Sequence, residues 1–185
     1  MKSKKKFFAE IIQFVPIISL ASSFIVSGGI DLNRAGILFV ISGLMALCIT
    51  IWLLVAKITQ NPILLASNIW LMFGAVAFGV PIAPLARLLG QTNAVLLFAT
   101  LVGFGIIRVI TKPKTGFIGM TDAPANVIRN LSLVLLGLSI AALAWAILFK
   151  DNIRLGGGLP FIVLNVTRRI IIKRSRTPEK TLLPS

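Results

Sequence analysis

The sequence predicts an all-α fold: a polytopic transmembrane helical bundle of six spans with both termini in the cytoplasm. Three observations carry that expectation. A mean hydropathy of +0.97 with 57% hydrophobic residues exceeds what the core of a soluble domain requires. Leu131–Phe149 (LSLVLLGLSIAALAWAILF) contains no charge, and at about 1.5 Å per residue such a stretch reaches roughly 28 Å, the thickness of a bilayer's hydrocarbon core. Finally, the nineteen lysines and arginines gather at the ends of apolar segments rather than along a soluble face.

The head of the chain carries Lys2, Lys4, Lys5 and Lys6 before an apolar segment over residues 11–29, with Pro16 near its start. A charged head followed by Ser19-Leu20-Ala21 also reads as a cleavable signal. The apolar run continues to Val26, which favours a retained first span. Gly28 to Arg34 forms a turn in which Asp31 to Asn33 can cap the next helix. Span two covers 35–56, charge-free between Arg34 and Lys57. A tight KITQNP turn ending in Asn61-Pro62 leads to span three over 63–80, which Pro81 and Pro84 bend or end. Ala75 and Gly79, four apart, mark a face on which another helix can pack closely.

Span four covers 94–111, with Arg108 close enough to its end to reach headgroups. The longest polar interval follows, residues 112–130, in which Pro113, Gly116, Gly119 and Pro124 forbid a continuous helix. Span five is 131–149, with Trp145 near its far end. The last segment, 155–172, begins with Gly156-Gly157-Gly158 and holds few uncharged residues before Arg168-Arg169. Charge distribution decides its treatment. With six crossings and a cytoplasmic N-terminus, fifteen basic residues face the cytoplasm and Arg34, Arg87, Lys150 and Arg154 face outward. Five crossings would give nine against ten and erase the bias. The sixth span is therefore expected to be short, tilted or set in a thinned membrane. Residues 1–175 form one transmembrane domain in this reading, and 176–185 a disordered tail.

Chemistry is sparsely supplied. There are five acids, no histidine and one cysteine, Cys48, too little for a metal site or an activated nucleophile. No catalytic residue, metal ligand or cofactor is put forward, and the chain is not expected to be an enzyme. Serines within spans are expected to bond their own or a neighbouring helix. Asn68, Thr100 and Asn165 are the polar side chains placed at membrane depth. No acid falls within a span, which speaks against a proton-driven pump. Arg108, Lys112, Lys114, Arg129, Arg168 and Arg169 form a basic belt suited to anionic lipid headgroups or an acidic partner. Nucleic acid is not the expected partner of this belt, because its charges cluster at span ends.

The layout resembles the bacterial intracellular septation protein A family of small inner-membrane proteins. The residues that carry the likeness are Phe14-Val15-Pro16-Ile17 opening span one and Arg108 with Lys112-Pro113 closing span four. Asn130-Leu131 after a basic residue and Trp145 near the end of span five add to it. The Gly-Gly-Gly and early arginine pair of the last segment depart from the family's longer apolar helix. The resemblance implies a non-enzymatic protein of the bacterial inner membrane linked to cell-envelope synthesis or division, acting through partner proteins. A small-solute or ion transporter or channel subunit is the alternative, and oligomerisation is left open.

Overall fold

The computed structural model describes residue 9 and residues 11–26, 32–80, 83–92, 94–152 and 154–176. Regular structure among them is entirely helical: α1 (Val15–Val26), α2 (Leu32–Val55), α3 (Pro62–Gly79), α4 (Ala83–Thr92), α5 (Ala94–Thr111), α6 (Ala125–Leu148), a π-helical turn (Arg154–Gly158) and α7 (Leu159–Arg176). Five helical stretches among the described residues are long and apolar enough to cross a membrane: 35–55, 62–79, 94–111, 125–148 and 154–175. Large apolar side chains point outward along them, among them Ile37 and Leu54 on α2, Ile110 on α5 and Leu148 on α6. Lipid, not water, suits such a surface. The chain forms two compact units, residues 1–101 and 102–185.

In the first unit, α1 is described over twelve residues, about 18 Å of rise and short of a full crossing. The expected first span, 11–29, is interrupted at residues 13–14 ahead of Pro16, and its end at 27–29 lies outside the described residues. Proline lacks the N–H that would continue the ladder. The buried Gln13 side chain serves the interrupted region: its amide donates to Ala9 O at 2.8 Å and its carbonyl accepts from Asn61 N at 2.9 Å. Of the capping residues expected before α2, Asp31 also lies outside the described residues.

Helix α2 ends where Lys57 turns left-handed (φ 52°) and Ile58 N reaches back to Leu53 O at 3.0 Å. That six-to-one bond satisfies a terminal carbonyl. Asn61 then caps α3, its side chain accepting from Ile63 N, with Pro62 in the first helical position. The two helices pack through small residues. A Cβ on Gly43 would overlap Ala75 and lie 2.6 Å from Leu71 O, and one on Gly74 would run into the Phe39 ring. Phe39 meets Trp70 edge-on at 5.1 Å and stacks on Phe78 at 5.4 Å. Ala75 thus belongs to the contact, as its spacing suggested, whereas Gly79 is exposed beside it. Residues 83–92, between the expected spans three and four, form the short helix α4, with Leu89 buried and Arg87 exposed.

In the second unit, α6 begins at Ala125, six residues before the apolar run, because Pro124 stops the preceding turn and leaves the chain free to coil at once. At its other end Trp145 and Phe149 rings lie 4.6 Å apart, and the Trp145 indole donates to Leu155 O at 3.0 Å. Gly156 packs against the Phe149 carbonyl, 2.5 Å from where a Cβ would sit. This close approach wraps the glycines into the π-helical turn, and α7 returns alongside α6. Helix α7 extends to Arg176, past the expected end of the last span, and residues 177–185 lie outside the described residues.

Candidate functional site: a basic turn sealed by an apolar plug

The polar interval between α5 and α6 is an ordered turn. Gly116 N bonds Lys112 O at 2.7 Å, and Gly119 N and Met120 N both reach Thr115 O, at 3.0 and 3.2 Å. Two short helical turns follow one another, each closed by a left-handed glycine, Gly116 (φ 57°) and Gly119 (φ 70°). L-residues carry a steric penalty there that glycine escapes.

Between the glycines the chain drives Phe117 and Ile118 into the unit, and just after the second it drives in Met120, all with at most 1% exposure. A Cβ on Gly105 of α5 would lie 3.1 Å from the Phe117 ring, so the missing side chain makes room for it. Burial of the plug leaves the backbone of Ile118 away from water, where its polar groups require partners. Ser132 of α6 accepts from Ile118 N at 3.1 Å, and the Arg168 guanidinium of α7 donates through Nε to Ile118 O at 2.9 Å. One residue of the turn is thereby tied to two helices.

The six basic residues singled out in the sequence divide by role. Arg168 is half-buried and holds the turn. Arg108, also half-buried, reaches Thr115 Oγ1 through a long 3.4 Å contact and lies 5.8 Å from the Phe104 ring centroid, while its Nε is buried without a partner. Lys112, Lys114, Arg129 and Arg169 are exposed. Lys112 and Lys114 flank Pro113 on the turn, and Arg129 stands one turn into α6.

A cleft of about 280 Å³ opens beside these cations, lined by Val109, Pro113, Gly116, Ala125, Asn126, Arg129 and Ser132. Ser132 is fully buried, and its hydroxyl oxygen already accepts from Ile118 N. Asp122 is the one acidic residue described on the turn, and its carboxylate accepts from the Thr121 hydroxyl at 2.8 Å. The local field is therefore strongly positive. No group of three or more metal-ligating side chains occurs among the described residues.

The plug and Ser132's service to the turn were not anticipated. The signal was present in Phe117-Ile118-Gly119-Met120, an apolar run inside a polar interval, preceded by Gly116 and interrupted by Gly119. Ser67 and Ser139 do bond their own helices, to Ile63 O and Leu135 O. Thr100 bonds Leu96 O, and Asn165 donates to Phe161 O. Asn68 instead crosses from α3 to Thr50 Oγ1 of α2 at 3.1 Å.

No protein-family model, curated protein or solved structure matches the chain.

Proposed function

We propose that this chain is a multi-pass protein of the bacterial inner membrane that works by contact rather than by catalysis. Its basic turn would engage anionic partners at the cytoplasmic face. The carrying observation is the charge on the end of the second unit that holds the turn. Arg108, Lys112, Lys114, Arg129, Arg168, Arg169, Lys173 and Arg174 stand there, with Asp122 as the acid among the described residues. Cations near an anionic leaflet contribute about 1 kcal/mol each, and their excess on one side of the spans supports six crossings with both termini inside. The turn is also built to stay in place, since its plug and its two ties fix where Lys112 and Lys114 stand. The resemblance to septation protein A-like proteins favours partners in envelope synthesis or division.

A second reading, transport of a small solute, has its own observation. The first unit buries Asn68 Oδ1, Trp70 Nε1 and the Ser42 hydroxyl without partners, and unsatisfied polar groups within a membrane are costly unless something meets them. Purified protein in proteoliposomes, combined with in-cell photo-crosslinking from position 114, separates the readings. Contact function predicts no flux of ions or small solutes and crosslinks to envelope proteins at position 114. Solute flux without such crosslinks would overturn it in favour of transport.

A further inference from the structure

We propose that the cleft beside the 112–119 turn is a site for the phosphate of an anionic lipid headgroup, with Arg129 as its principal cation. The site rests on the membrane reading above and adds to it a defined pocket with a chemical preference. Its place in the fold comes first. One wall is Val109, two residues from the end of α5, and the other is the first two turns of α6. Both walls are therefore the emerging ends of membrane-length helices, the level at which headgroups lie.

The lining is divided as an amphiphile would require. Val109, Pro113 and Ala125 offer apolar surface, and the exposed Asn126 and Arg129 offer hydrogen-bond donors. A free anion would have no use for the apolar half. At about 280 Å³, the space falls just below the roughly 300–1,000 Å³ of clefts that enclose drug-sized molecules. It suits a phosphate with its glycerol.

Ser132 anchors the cleft's floor: it is fully buried and its oxygen accepts from Ile118 N, which fixes the turn that carries Pro113 and Gly116. Arg129 brings a fork of donors that matches phosphate oxygens and strengthens on desolvation. The first turn of α6, which has no side-chain cap, adds potential of the same sign. Asn126 also lines the cleft.

The test is native mass spectrometry of the full chain released from detergent micelles carrying dioleoyl phosphatidylglycerol or dioleoyl phosphatidylcholine. The wild type is expected to retain one phosphatidylglycerol with about tenfold preference over phosphatidylcholine. Arg129→Gln should remove most of that preference. So should Ala125→Leu, which keeps every charge and fills the cleft. The pair Lys173→Gln and Arg174→Gln, farther along α7, should leave it intact.

Equal loss in the α7 variant would overturn the site while leaving a diffuse basic surface, and so the contact function, standing. Absence of any preference in the wild type would overturn both. Displacement of the lipid by millimolar inorganic phosphate would overturn the lipid assignment in favour of free phosphate at the same cleft. Retention of the lipid under phosphate would support the headgroup.

Discussion

Gly116 shows how much of the basic turn depends on one backbone angle. At φ 57° any Cβ is strained, and here it would also collide with the Ser132 hydroxyl and approach Ile128 Cγ2 to 3.0 Å. Left-handed backbone costs an L-residue about 1–2 kcal/mol, and overpacking a filled site adds about 1–3 kcal/mol. Gly116→Ala should therefore lower the melting temperature of the detergent-solubilised protein by roughly 5 °C or more. Gly137→Ala, at a helical position with nothing within 4 Å of the added carbon, should leave it unchanged or slightly raised. Equal melting of the two variants would show that the Gly116 turn does not hold the second unit together. The paired glycines were visible in the sequence as helix breakers. That they aim an apolar plug at Gly105, and that Ser132 and Arg168 secure it, depends on contacts across 14 and 50 residues. Local pattern carries no record of such distances.

Among the elements, the α2–α3 pair shows best how lipid changes the packing logic. Apolar side chains gain little by leaving lipid for one another, so close approach through small residues takes over. Gly43 sits where the backbone of Leu71 comes within 2.6 Å of an added Cβ, and backbone cannot swing aside as a side chain can. Gly43→Ala should therefore destabilise the first unit by about 1–3 kcal/mol, seen as earlier loss of helical circular dichroism on heating. Gly79→Ala, whose added carbon would meet Val40 at an ordinary 3.6 Å, should not. A Gly43→Ala protein as stable as the parent would mean that α2 and α3 do not pack as described. The bounds of these elements were largely legible: α5 occupies residues 94–111, the expected apolar run with Arg108 near its end, and α2 and α3 lie within a few residues of expectation. The α6 start was misjudged because Ala125–Asn130 (ANVIRN) is polar enough to leave the membrane yet helical once Pro124 has opened it. Helix α4 was missed because ten residues with a proline and an arginine carry too weak a pattern.

For the whole molecule, composition foretold the solvent better than any motif foretold an activity. Long apolar helices with outward-facing Ile, Leu and Val follow from hydropathy and length alone. The basic residues marked on α5, the turn, α6 and α7 were legible as a belt. Their division into two that reach the turn and four that are exposed was not, because it depends on which group of a folded loop each guanidinium reaches, the Ile118 carbonyl for Arg168 and the Thr115 hydroxyl for Arg108. The unequal sharing of nineteen lysines and arginines between the two sides of the membrane is the central claim, and it has a direct measurement. An alkaline phosphatase fusion and a green fluorescent protein fusion, each placed after Ser185, report opposite sides of a bacterial inner membrane. Six crossings from a cytoplasmic head predict a fluorescent, phosphatase-inactive C-terminus; an active phosphatase there, with the N-terminus still inside, would contradict the topology and the cytoplasmic placement of the basic turn's α7 anchor.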